Sequence, residues 1–246
     1  MSRSISMNVG RRVVLATVTA VGLGVLLGGP AARAQAPAAP LKIGIIGTGK
    51  IGGALARYWV KAGHEVFVSS RHPGELQDLV KELGPRAHAG TPKEAAAFGS
   101  VVLVSIPYGA MPQIGTDLRA ELAGKVIIDT SNPVERRDGA QAVEWQKKGA
   151  GVSTAELLHN NRVVRAYNCI PAAVLANDAN RKPERLAIPI GGDDKDAIAI
   201  AERLVRDSGF DPVLVGSLAR TREFDLGQPL AVGPLTAAQL KAKITP

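Results

Sequence analysis

From Leu41 onward the chain has one dominant rhythm: short runs rich in β-branched and aliphatic residues alternate with helix-length stretches. The runs fall at 42–46, 65–69, 101–106, 126–129, 163–168, 186–190 and 213–215. Several are apolar at almost every position. That is the pattern of parallel strands, whose crossover helices cover both faces of the sheet. Between the runs, Thr91-Pro92-Lys93-Glu94 predicts a capping box with proline at the first helical position, and Ser153-Thr154-Ala155-Glu156 predicts another. Gly63 and Gly209 stand where a left-handed residue would end a helix. The stretch 134–151 is polar and glycine-rich and reads as a long connection. The alternation predicts an α/β fold, a Rossmann-type, doubly wound and mainly parallel sheet in a single domain over 41–225. A C-terminal extension, 226–246, is broken by Gly227, Pro229, Gly233 and Pro234, with Thr236 opening a short last helix.

The first forty residues follow different rules. Arg3, Arg11 and Arg12 precede a 15-residue uncharged run at 13–27, then Gly28, Gly29 and Pro30 break it, and Ala32-Arg33-Ala34 has the small-x-small form of a cleavage site. Residues 1–34 read as an export signal, too short in its apolar run for the roughly 20 residues of a membrane span. Arg11-Arg12-Val13-Val14-Leu15 resembles a twin-arginine signal; a Sec signal with two adjacent arginines and an uncleaved anchor are the alternatives. Residues 35–40 are Ala/Pro-rich and predict an extended leader. Exported, periplasmic localisation and no stable membrane span after signal removal are the expectations. The net charge of +8 invites a nucleic-acid reading, but four of the basic residues lie in 1–34, and the remaining 212 residues carry 26 basic and 22 acidic side chains. No basic, aromatic-rich patch supports nucleic-acid binding. One cysteine excludes an intramolecular disulfide and a cysteine cluster. His64, His72, His88 and His159 lack ligand spacing, and no metal is expected.

Gly47-Thr48-Gly49-Lys50-Ile51-Gly52 fits G-x-G-x-x-G, and it follows a predicted strand and opens a predicted helix, the context that gives the pattern meaning. Gly47 allows the tight turn, Gly49 lets backbone approach a pyrophosphate, and Gly52 lets helix pack on strand. The helix start offers free N–H donors to phosphate. The end of the second strand then selects the nucleotide. An NAD site places an acid there, for the ribose 2′-hydroxyl. Here Glu65 lies at the strand's start, and Ser69-Ser70-Arg71-His72 stand at its end. A carboxylate would repel a 2′-phosphate, whereas Arg71 can grip it as a charged fork and Ser70 can donate to it. The residues therefore favour NADP(H), with a solvated surface charge as the plainer reading of Arg71 alone.

The glycine loop, Val68-Ser69-Ser70-Arg71, Val104-Ser105-Ile106-Pro107 and Asp129-Thr130-Ser131-Asn132-Pro133 together resemble the NADPH-dependent reductases of coenzyme F420. The same module occurs in the metalloreductases of the six-transmembrane epithelial antigen family and is related to the N-terminal domain of pyrroline-5-carboxylate reductase. Arg165-Ala166-Tyr167-Asn168 and Gly191-Gly192-Asp193-Asp194 extend the resemblance to about residues 41–225. The resemblance implies phosphates on Thr48, Gly49, Lys50, Ile51 and Gly52, the 2′-phosphate on Ser70 and Arg71, and the nicotinamide ribose along Ser105, Ile106 and Pro107. Asn132 and Asn168 would line the same edge, unless each is a strand-end amide bonded to its own backbone. The class often dimerises, so a homodimer is also an expectation.

The chemistry expected is hydride transfer between NADPH and a small-molecule acceptor: a deazaflavin, a flavin, or a small carbonyl or imine. Such transfer needs little acid–base help from the protein, and no catalytic residue is nominated. Tyr108 is nearest the expected nicotinamide site, with a packing aromatic as its plainer reading. The alternative function is a non-catalytic NADP(H)-binding module that acts with a partner.

Overall fold

The computed structural model describes Met1 and residues 39–160, 162–231 and 233–244. The expected export signal, Met1 aside, and residues 35–38 of the leader lie outside the described residues. Eight strands form one sheet: β1 (Lys42–Ile46), β2 (Glu65–Ser69), β3 (Ala87–Gly90), β4 (Val101–Val104), β5 (Val126–Asp129), β6 (Val163–Arg165), β7 (Ala187–Gly192) and β8 (Asp211–Gly216). Their order is β3-β2-β1-β4-β5-β6-β7-β8. The first six pair in parallel; β7 runs antiparallel to β6, and β8 parallel to β7. The helices are α1 (Lys50–Lys61), α2 (Gln77–Leu83), α3 (Pro92–Phe98), α4 (Met111–Asp117), α5 (Arg119–Leu122), α6 (Glu135–Asp138), α7 (Gln141–Lys148), α8 (Ala150–Leu157), α9 (Ala172–Asn177), α10 (Lys195–Asp207) and α11 (Ala237–Lys241).

Successive strand residues point to opposite faces, so the sheet feeds two cores. Ile43, Ile45, Leu103 and Ile128 face Leu55 and Trp59 of α1 and Leu204 of α10. Ile46, Val102, Val104 and Ile127 face Tyr108, Met111, Trp145 and Leu158. A smaller core at the β8 edge takes in Phe224, Leu230 and Leu240, so the C-terminal extension lies against the sheet rather than trailing from it. Thr236 makes an antiparallel bridge to Leu186, and its side chain caps α11 in a capping box with Gln239.

Several sequence expectations are corrected here. The run 101–106 ends at Val104, because Pro107 has no N–H and steers the residue before it out of regular structure. The run 163–168 ends at Arg165, and Tyr167 turns the chain with a φ of 60°. β7 spans Ala187–Gly192 in place of 186–190, and β8 spans Asp211–Gly216 in place of 213–215. β3 was not anticipated. Its sequence, Ala-His-Ala-Gly, has no β-branched residue, and pairing with β2 makes it a strand. The stretch 134–151 is not a bare connection but contains α6, α7 and the start of α8. Ser153 is not a cap: α8 begins at Ala150, whose N–H is capped by the Asp225 carboxylate at 3.0 Å, 75 residues away in sequence.

The register places the site. Ser69 pairs with Ile46, Ile46 with Val104, Val104 with Asp129, and Asp129 with Arg165, one row across five strands. At about 4.8 Å per strand this row spans about 19 Å. Every loop leaving it starts at the same level, on the carboxyl edge of the sheet. β1 lies between β2 and β4, so the chain reverses its direction of winding there, the topological switch at which such sheets bind ligands.

Gly44 sets how closely α3 can lie on β1. A Cβ there would stand 2.0 Å from the Ala95 carbonyl oxygen, which is backbone and cannot move aside alone. Gly44→Ala is expected to lower the unfolding free energy by about 3 kcal/mol, read from the urea midpoint, with far-UV circular dichroism unchanged in water.

Candidate functional site

The loop after β1 is shaped by close approach. Gly47 has a φ of +94°, and a Cβ on it would lie 2.3 Å from the Ser105 carbonyl oxygen. A Cβ on Gly52 would lie 2.3 Å from the Gly47 carbonyl oxygen. Glycine at these two positions is therefore demanded by the chain itself. Gly49 is different, because a Cβ there would meet nothing within 4 Å. The space above it is open, so the chain itself leaves room beside the start of α1. Gly49 is also the N-cap of α1 and supplies no capping side chain, and the first turn holds no acid. The first N–H groups of this 12-residue helix thus face outward with the positive end of its dipole. Lys50 is exposed, Ile51 half-buried and Gly52 buried.

Thr48 ties this loop to the end of β2. Its hydroxyl donates to the Ser69 carbonyl at 3.0 Å and accepts from the Ser69 N–H at 3.1 Å. The Ser69 hydroxyl, fully buried, donates back to Ile45 at 2.7 Å. The two residues that follow are therefore held beside the glycine loop. The Ser70 hydroxyl accepts from the His72 N–H at 3.1 Å and keeps its own proton to donate. Arg71 and His72 are exposed. Among the described residues the Arg71 guanidinium has no hydrogen bond or ion pair. No carboxylate stands at 69–72.

The loops after β4, β5 and β6 complete the edge. Ser105 is half-buried and its N–H donates to Ile46 at 2.9 Å, while Pro107 is exposed. The Ile106 N–H donates to the Ser131 hydroxyl at 3.3 Å, joining the β4 and β5 loops. Asn132 and Asn168 are brought together: Asn132 Nδ2 donates to the Asn168 carbonyl at 2.7 Å, and Asn168 Nδ2 donates to Phe224 at 2.9 Å and to Asn132 Oδ1 at 3.4 Å. They bond to one another, not each to its own backbone. Asn168 Oδ1 is the one buried side-chain polar atom without a partner among the described residues. A buried acceptor left open is costly, and it marks this edge as a place where an added donor is favoured.

Beneath these loops lies a feature that the sequence analysis missed. The Arg165 guanidinium is fully buried. Its Nη1 donates to Asp129 Oδ2 at 2.8 Å and to the Ser131 carbonyl at 2.6 Å, its Nη2 to Asn132 Oδ1 at 2.8 Å, and its Nε to Asp225 Oδ1 at 2.8 Å. Asp129 also accepts from the Thr154 hydroxyl and the Ser131 N–H, each at 2.8 Å. Burial alone would lower the Arg165 pKa, and the Asp129 and Asp225 carboxylates more than offset it. Burial pushes the Asp129 carboxyl up, against the pull of Arg165 and the hydrogen bonds from Ser131 and Thr154. The available signal was an Asp and an Arg, each closing an apolar strand run.

Tyr108 belongs to this buried layer. Its hydroxyl donates to Ala150 at 2.7 Å and shares a 2.9 Å hydrogen bond with Thr154, while its ring lies 5.2 Å from that of Trp145. Burial pushes its pKa well up. It is a packing aromatic that fixes the start of α8. Among the described residues no group of three or more His, Cys, Asp or Glu could hold a metal ion, and no helix is long and apolar enough to cross a membrane.

Residues 42–133 match the family model described as NADP oxidoreductase, coenzyme F420-dependent. Over 42–133, the nucleotide-binding region of this chain is similar to that family. Rat metalloreductase STEAP3 is 31% identical over 198 residues, 78% of this chain but 37% of its own length, so the chain spans little more than a third of that relative. The F420-dependent NADP reductase of Methanothermobacter thermautotrophicus is 28% identical over 78% of this chain and 88% of its own. Among solved structures, the hypothetical protein SMa0349 of Sinorhizobium meliloti superposes with a TM-score of 0.68 at 27% identity, covering 80% of this chain and 95% of that one. The family match spans the glycine loop, the Ser70–Arg71 pair and the loops after β4 and β5.

Arg165→Met should be severely destabilising, because it leaves the Asp129 carboxylate buried without its cation. A loss of roughly 3–5 kcal/mol is expected by urea denaturation, against a smaller loss for Asp225→Asn, whose partner keeps Asp129.

Proposed function

We propose that this NADP-dependent oxidoreductase binds NADP(H) across the carboxyl edge of its sheet and passes hydride to a small-molecule acceptor drawn from deazaflavins, flavins, and small carbonyls or imines. The observation that carries the nucleotide assignment is the end of β2, where an exposed Arg71 without a partner among the described residues follows Ser70 and no acid stands at 69–72. Ser69 is clasped by Thr48, so Arg71 starts from a fixed point beside the glycine loop. A guanidinium there can pair with a 2′-phosphate in charge-assisted hydrogen bonds, and the Ser70 hydroxyl can donate beside it. Gly49, Lys50, Ile51 and Gly52 would offer backbone N–H groups to the pyrophosphate, with the open space over Gly49 as its seat.

When bound, the nicotinamide supplies the hydride. Ser105, Ile106, Pro107 and Asn132 would position its ribose and ring, and the Arg165 layer would keep those loops still. Tyr108 moves no proton, since its hydroxyl is committed to Ala150 and Thr154 within the core.

Arg71→Ala is expected to weaken NADPH binding about 10- to 100-fold while leaving NADH binding within about twofold, as read by calorimetric titration. Equal loss for both nucleotides would mean that Arg71 does not read the 2′-phosphate.

We also propose that the protein is exported to the periplasm, on the strength of Arg11-Arg12, the apolar run 13–27 and Ala32-Arg33-Ala34. Expressed with its own N-terminus, the chain should be recovered from the periplasm about 34 residues shorter, by intact mass. Recovery of the full-length chain from the cytoplasm alone would remove this assignment. The second reading, a nucleotide-binding module that works with a partner, draws support from the rat metalloreductase, in which the matching region is 37% of a longer protein. It predicts NADPH binding without NADPH oxidation by any acceptor.

A further inference from the structure

A small polar pocket of about 130 Å³ opens beside the loop after β5. Asn132 and Pro133 form one wall, Gln146 of α7 another, and Arg222, Leu226 and Gln228 of the C-terminal segment the third. Asp225 completes the lining, but both its oxygens are engaged, one by Arg165 Nε at 2.8 Å and one by the Ala150 N–H at 3.0 Å. The wall is firm: Asn132 is held by Arg165, Gln146 donates to the Pro133 carbonyl at 2.9 Å, and Gln228 N–H donates to Asp225 at 3.0 Å. The pocket is one residue from Ser131, which bonds the loop expected to run along the nicotinamide ribose.

Three arginines surround this corner. Arg165 is spent on Asp129 and Asp225, and Arg137, which donates to the Asn132 carbonyl at 2.6 Å, is paired with Asp138 at 2.8 Å. Arg222 is exposed and has no side-chain hydrogen bond or ion pair among the described residues. Its stem is located, since a Cβ on Gly149 would lie 3.5 Å from Arg222 Cβ. At the rim, Leu226 is 55% exposed, one of few large apolar side chains so placed among the described residues. A firm polar cleft with one uncommitted guanidinium and an apolar lip suits a small molecule that has both an anionic group and a carbon skeleton.

Size narrows the class. At about 130 Å³ the pocket lies below the roughly 300 Å³ at which sites for larger organic ligands begin. That volume suits a short acid better than three fused rings. We infer that this pocket is the acceptor subsite, and that it takes a compact carbonyl or imino acid whose carboxylate is held by Arg222. This rests on the NADP(H) reading above. In the reaction implied, the acceptor carbon gains hydride with its two electrons, the C=O or C=N π bond opens, and the heteroatom takes a proton from water. NADPH ends as NADP⁺ and the acid as a hydroxy or amino acid.

The test is calorimetric titration of the full protein with pyruvate in the presence of saturating NADP⁺, a pairing in which no turnover occurs. Saturable binding is expected, weakened at least about tenfold in Arg222→Ala and partly restored in Arg222→Lys. Acetone, which lacks the carboxylate, should not bind detectably, and the affinity for NADP⁺ should be the same in all three proteins. Absence of pyruvate binding to a protein that binds NADP⁺ would overturn the inference and spare the nucleotide reading, as would equal binding by Arg222→Ala. If NADP⁺ does not bind, the nucleotide reading fails, and the assignment of the pocket as an acceptor subsite falls with it, whether or not pyruvate binds through Arg222.

Discussion

A buried guanidinium between two carboxylates organises the functional edge of this protein. Arg165 sits at the end of β6 with no solvent exposure and four hydrogen bonds at 2.6–2.8 Å. An unpaired charge in that place would be far too costly to keep, so its partners must come with it. They come from two separate stretches of chain: Asp129, Ser131 and Asn132 at the end of β5 and in the loop beyond, and Asp225 in the C-terminal segment. Asp225 in turn caps α8 at Ala150, and Thr154 of α8 returns a hydrogen bond to Asp129. One cation thus closes a ring of loops that would otherwise be independent. The geometry of that ring is set by fixed directional bonds, and the surfaces it presents to a ligand are correspondingly rigid.

The second constraint is register. Because Ser69, Ile46, Val104, Asp129 and Arg165 lie in one row, five loops begin at the same height and face the same solvent. The glycine loop can then be threaded beneath Ser105, where only the absence of a side chain on Gly47 permits the approach. Thr48 bonds sideways to Ser69 and carries that order to the end of β2. From Arg71 at one end to Asn168 at the other, residues far apart in sequence form one continuous edge. The antiparallel entry of β7 next to β6 brings the C-terminal segment, with Asp225, Arg222 and Leu226, back over the far end of it.

What could be read in the chain alone was whatever depends on local spacing. Buried strands of such a sheet are apolar on both faces, so seven of the eight strands were visible as runs. G-x-G-x-x-G after the first run located the turn, and the Thr91 capping box located α3, because capping chemistry acts over three residues. The residues after β2 argued for a phosphorylated ribose for the same local reason. Where neighbours in space replaced neighbours in sequence, the reading stopped. Ser153 had the spacing of a cap and lies inside α8, because a carboxylate from the C-terminal segment had already capped that helix. β3 had no strand signature and is a strand because β2 offers it an edge. Polar residues at 134–151 fold as helices against Tyr108 and the core. Arg165 and Asp129 were visible only as charges closing apolar runs; their pairing is a matter of adjacent strands in matching register, which no sequence separation encodes. The sequence by itself determined the class of fold and the glycine turn at which we propose a dinucleotide sits, since both follow from short-range rules of periodicity and turn geometry. Tertiary structure alone decided which buried charges meet, which helix ends are capped and where the small polar pocket beside β5 opens, because each depends on a distance across the sheet.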